Sequence, residues 1–120
     1  MTAVAIHRLT SGLVSDSERT EINVVIQPLD DDGELVKVAG QLKVTAAVVN
    51  SDGAPTVVAV REITMTESRK LWTRTLVSSG FHVQLTASDA IQPDTNVVLS
   101  AVLSLGQGRT FSTSEVIQTQ

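Results

Sequence analysis

The chain has 120 residues, 42% of them apolar, and nine basic against thirteen acidic groups leave a net charge of −4. No apolar run approaches the roughly 18 residues of a membrane-spanning segment, so the chain is expected to be soluble. With no cysteine, disulfide frameworks, thiolate catalysis, zinc ribbons and iron–sulfur sites are excluded. The acidic balance and the presence of only three aromatic residues, Trp72, Phe81 and Phe111, argue against nucleic acid. That partner calls for a basic face and, for single strands, stacking platforms.

Valine, isoleucine and threonine supply 38 residues, a composition that favours strands, because side chains branched at Cβ pack well on a pleated sheet. No secretory signal opens the chain: Met1 to Ile6 has no basic stretch before it, and Arg8 follows almost at once. A strand-like pattern starts immediately, so Met1 reads as an added start and the chain as a module cut from a longer protein. The first strand is expected over 4–13, and the second over 21–29, where Ile22, Val24 and Ile26 alternate with Asn23 and Gln27. Asp32-Gly33 marks a turn, followed by a short strand over 35–38. Leu42, Val44, Ala46 and Val48 alternate in a strand over 41–49, which Asp52-Gly53-Ala54-Pro55 closes. The next strand, 56–65, changes apolar phase between Val58/Val60 and Ile63/Met65, which predicts a bulge near Arg61-Glu62.

Thr64-Met65-Thr66-Glu67 then matches a capping box, and the spacing predicts a short helical segment near 65–75; an irregular crossover strand is the alternative. Ser79-Gly80 precedes a strand over 80–87 with Phe81, Val83 and Leu85 on one face. Gln92-Pro93-Asp94 precedes the strand 96–105, where Val97, Leu99, Ala101, Leu103 and Leu105 form one face. Gly106-Gln107-Gly108 turns into the final strand, 109–117. Seven to eight short strands with regular turn signals and at most one short helix predict an all-β fold, a two-sheet antiparallel β-sandwich of immunoglobulin-like type. A small barrel is the alternative. Neither repeats nor linkers interrupt the sequence, so residues 1–120 are expected to form one domain.

Candidate sites are few. Asp30-Asp31-Asp32-Gly33-Glu34 is acidic, but a helix-loop-helix calcium pattern fails on it: Pro28 falls at the first ligand position and Ala39 where the glutamate belongs. A charged hairpin tip is the simpler reading. A different calcium site would recruit Asp30, Asp31 and Asp32 together with Asp89 or Asp94. His7 and His82 lack metal-ligand spacing and read as strand surface residues. Ser104-Leu105-Gly106 carries half of a nucleophile elbow, yet Val102 stands at the first glycine position and the run lies within a strand. Gly106-Gln107-Gly108 lacks the rest of a phosphate loop. Arg61, Arg69, Lys70 and Arg74 form the one basic concentration, interrupted by Glu62 and Glu67, and read as a solvated face. Carbohydrate-binding sandwiches present several aromatic rings; here Trp72 alone could serve, and it is expected to plug the core or one end of the sandwich.

The run Ile22-Asn-Val-Val-Ile-Gln-Pro-Leu-Asp30, with Asp32-Gly33-Glu34, Val38-Ala-Gly-Gln-Leu42, Ser79-Gly80 and the closing Gly108-Arg109-Thr-Phe111, resembles an uncharacterised β-sandwich module of planctomycete-type bacterial cell-envelope and secreted proteins. Ile6, Leu9 and Gly12 resemble that module's opening with shifted spacing, and Val60-Arg61 stands where its members carry a tryptophan. Strand count and spacing are also similar to immunoglobulin and fibronectin type III sandwiches, without their Cys…Trp…Cys hallmark. The resemblance implies an extracytoplasmic setting and carries over no functional residue. The expectation is therefore a non-enzymatic accessory, interaction or spacer module without cofactor. Its partner would be another protein or neighbouring domains of the same chain, with no nucleic acid and no membrane insertion. The interaction candidates are Arg69, Lys70 and Trp72, and a calcium- or small-ligand-binding module is the alternative.

Overall fold

Ile22, Val24 and Ile26 are all fully buried, as are Val97, Leu99, Ala101 and Leu103, so the two cleanest alternating runs become the backs of two facing sheets. The computed structural model describes residues 3–6, 11–15, 20–49, 53–73, 79–87, 96–106 and 108–118. Its elements in chain order are β1 (Ala3–Ile6), β2 (Ser11–Ser15), β3 (Thr20–Leu29), β4 (Gln41–Val49), β5 (Pro55–Ile63), α1 (Met65–Leu71), β6 (Trp72–Thr73), β7 (Gly80–Ala87), β8 (Asn96–Ser104) and β9 (Thr110–Gln118). One sheet runs β1-β3-β7-β6, with β2 also on β3, and the other runs β5-β4-β8-β9. All pairings are antiparallel. The architecture is the expected two-sheet β-sandwich with one short helix.

The core is the space between the sheets. Ile22, Val24, Ile26, Phe81, Val83 and Leu85 face Leu42, Val44, Ala46, Leu99 and Leu103 across it. Each large apolar side chain buried here contributes about 1.5–3 kcal/mol. Gly80 opens β7 at φ +144°, and a Cβ there would stand 2.5 Å from the Ile26 carbonyl oxygen. Any side chain would push β7 away from β3, so glycine is required by contact as well as by conformation.

Four expected details differ. The strand expected over 4–13 does not keep one register along β3: Ile26 pairs with Ile6 on one side and Phe81 on the other, while Asn23 pairs with Ser11 and Gln84, and residues 7–10 lie outside the described residues. Residues 35–38 are not a strand. Leu35 makes a single bridge to Leu29, and Val36 N–H donates to the Pro28 carbonyl at 2.9 Å. Beyond that point the chain crosses from one sheet to the other, where neither offers an edge to pair with. The bulge lies at Val58, not at Arg61-Glu62: Ala46 pairs with Ala59 and Ala47 with Val57, which leaves Val58 opposite no residue. Finally, β5 stops at Ile63, because Thr64 turns the chain into α1.

Candidate functional site

The helix exists because its start is locally encoded. Thr64 is extended (φ −70°, ψ 163°), and its Oγ1 accepts from the Glu67 N–H at 3.2 Å, as the capping box predicts. Glu67 in the first turn and Arg69 and Lys70 in the last complement the helix dipole. Ser68 is the one buried residue of α1; its Oγ donates to the Met65 carbonyl at 2.8 Å and accepts from Gly40 N–H at 3.5 Å. That link holds the helix beside the crossover segment that precedes β4. A Cβ on Gly40 would lie 2.7 Å from the Ser104 carbonyl oxygen, so the crossover passes close against β8 there.

This packing builds a cleft of about 370 Å3 lined by Lys37, Val38, Ala39, Arg69 and Trp72. Arg69 and Trp72 are three residues apart and reach the same side of the helical turn, whereas Lys70, one residue on, stays exposed outside the lining. Trp72 is half-buried, packs on the core and meets the Phe81 ring edge to face, with centroids 5.0 Å apart at 82°. It therefore packs against the core from the β6 edge of its sheet and offers apolar surface to the cleft. Among the described residues the lining sets two cations and one indole beside Val38 and Ala39, with no carboxylate, an arrangement suited to an anionic group carried next to an apolar one.

Of the interaction candidates Arg69, Lys70 and Trp72, the cleft brings together Arg69 and Trp72, and adds Lys37, which the sequence does not single out. Lys37 was placed within an expected strand, and no local pattern brings residue 37 beside residue 69. The basic concentration does not stay together: the Arg61 guanidinium reaches across the sandwich and donates from Nη1 to the Gln84 carbonyl at 3.2 Å. Arg74 lies outside the described residues.

At the acidic tip, Asp30 Oδ1 accepts from both Asp32 N–H and Glu34 N–H at 2.9 Å. The Asp30 N–H donates to the Glu34 carbonyl at 2.9 Å, and the Gly33 N–H to the Asp30 carbonyl at 3.0 Å. Gly33, at φ +76°, supplies the left-handed step. Asp31 and Asp32 are exposed, and Asp89 and Asp94 lie outside the described residues. Among the described residues, no three or more histidines, aspartates or glutamates are grouped to hold a metal ion. His82 is half-buried in β7, and His7 lies outside the described residues.

A larger concavity, of about 490 Å3, lies on the outer face of the four-stranded sheet between Lys43, Glu62, Val102 and Ser104. Ser104 is in β8, not on a strand-to-helix elbow. The turn after it is closed by Leu105 N–H donating to the Arg109 carbonyl at 2.8 Å, with the Arg109 guanidinium 5.6 Å from the Phe111 ring centroid. No helix among the described residues is long and apolar enough to cross a membrane.

Among solved structures, the chain is similar to one of murine CRIg, with a TM-score of 0.54 over 98% of this chain and 96% of that one. The fold is immunoglobulin-like. Identity over that superposition is 12%, so the likeness is one of fold. No family model matches the sequence, and no curated protein matches it.

Proposed function

We propose that this immunoglobulin-like chain is a non-catalytic interaction module that holds an acidic segment of a protein partner in the Lys37–Arg69–Trp72 cleft. The observation that carries the reading is the meeting of two cations and an indole, with no carboxylate among the described residues, in an otherwise acidic chain. The fold supports it in general terms: sandwiches of this type present loops and sheet faces from a rigid core. Placement in a bacterial cell-envelope protein rests on the sequence resemblance alone.

Trp72 is the sole tryptophan and tyrosine is absent, so intrinsic emission reports directly on the cleft. Titration with a Glu-Glu-Phe-Glu-Glu peptide is expected to shift that emission saturably, and added salt should weaken the response. Arg69→Glu and Lys37→Glu should abolish it, while Lys70→Glu should weaken it only slightly. An unchanged emission at millimolar peptide, or a shift indifferent to Arg69→Glu, would sink the reading.

A further inference from the structure

Val57, Val60 and Val116 are 58%, 51% and 62% exposed, and all three lie on one surface, where grouping rather than exposure alone is informative. Register places them there. Ala47 pairs with Val57 and Val98, and Val98 pairs with Val116, so Val57, Ala47, Val98 and Val116 form a row across the outer face of the four-stranded sheet. The next row is Val60, Thr45, Ser100 and Ser114, and the one after it is Glu62, Lys43, Val102 and Ser112. We propose that this face is where two copies of the chain pair, sheet against sheet.

Charge permits a second copy on this face. Among the described residues of these rows the charged groups are Lys43 and Glu62, opposite in sign and directly paired across β4 and β5. The face thus carries no net charge in a chain of net charge −4, so it is a surface on which two acidic copies repel least, with each Lys43 held beside its own Glu62. Geometry agrees. A two-fold axis along the strands between β4 and β8 sets Val57 of one copy over Val116 of the other, and Ala47 over Val98, so the apolar row meets itself. Alanine, serine and threonine between the valines keep the surface low enough for sheets to pack about 10 Å apart. Four strands about 4.8 Å apart and roughly 30 Å long cover nearly 600 Å2 per copy. That is just above the roughly 1,000 Å2 in total that a specific interface needs, so the dimer is expected to be weak. The hollow between Lys43 and Glu62 leaves room for bridging water at the polar end.

Sedimentation velocity on the 120-residue chain tests this. At about 100 μM the species is expected at twice the 12.7 kDa chain mass, dissociating on dilution. Val57→Lys and Val116→Lys should each make the chain monomeric, with unchanged circular dichroism because both positions are exposed. The chain has no cysteine, so Val57→Cys and Val116→Cys can be introduced one at a time. A short bismaleimide should link the two variants when mixed, and neither when alone. A wild-type chain still monomeric at about 1 mM, or a dimer that survives both lysine substitutions, would overturn the proposal.

Discussion

Trp72 and Phe81 face each other in register, and their rings meet edge to face at 5.0 Å, joining the wall of the cleft to the centre of the core. Phe81 is fully buried while Trp72 is half-buried, so the pair transmits core packing to a residue that a partner could touch. Phe81→Ala should cost about 3–5 kcal/mol in urea unfolding. Trp72→Ala should cost less, because part of its surface is already wet. The double variant is expected to fall short of the sum by about 0.5–1.5 kcal/mol, the worth of the ring contact beyond area burial. Strict additivity would mean that the rings are merely adjacent.

Two glycines at positive φ should respond differently to alanine. At Gly33 nothing lies within 4 Å of an added Cβ, so the cost is the backbone conformation alone, about 1–2 kcal/mol. At Gly80, whose φ of +144° lies further from any region a side chain favours, the conformational cost is joined by a clash with the Ile26 carbonyl oxygen. Gly80→Ala is therefore expected to lose clearly more stability than Gly33→Ala, and to perturb amide shifts along β3 near Ile26. Equal thermal midpoints for the two variants would contradict that assignment.

The helix depends on a single side-chain cap. Thr64→Ala removes the acceptor for the Glu67 N–H and should cost about 0.5–2 kcal/mol, whereas Thr64→Ser should retain most of it. Because α1 supplies Arg69 and leads into Trp72, the alanine variant should also raise hydrogen exchange over residues 65–71. The same variant should weaken peptide binding at the cleft without touching it.

What could be read from the sequence was what is encoded locally. The β8 run keeps one apolar face for its whole length, and the Thr64–Glu67 box carries its own hydrogen bond; both appeared where expected. The expected strand at 35–38 failed because strand propensity cannot reveal that β3 and β4 belong to different sheets, which makes the segment between them a crossover. The bulge was detectable as a phase slip in β5, but an unpaired residue shifts every position after it, so periodicity gave its existence and not its place. Lys37 joins Arg69 and Trp72 through the contact of Gly40 with Ser68, a tertiary relation with no trace in spacing. Lys70 failed to join them for a simpler reason, since a helix turns about 100° between neighbours.

Asp30 and Asp31 are adjacent acids with different work, and their alanine variants should separate. One oxygen of Asp30 accepts two backbone N–H groups, so Asp30→Ala leaves both donors to water and should cost about 1 kcal/mol, a thermal shift of several degrees at this chain length. Asp31, exposed at the tip, should be replaceable within about 0.5 kcal/mol. Calcium discriminates the remaining reading of this cluster. A cation held at about 100 times its dissociation constant by the folded state alone adds roughly 2.7 kcal/mol. Asp30 Oδ1 is already engaged by amides and no third ligand stands nearby among the described residues, so millimolar calcium is expected to leave the midpoint where EDTA leaves it. A rise of several degrees, abolished by Asp31→Ala or Asp32→Ala, would instead mean that these carboxylates converge with acids elsewhere in the chain, Asp89 and Asp94 first among them.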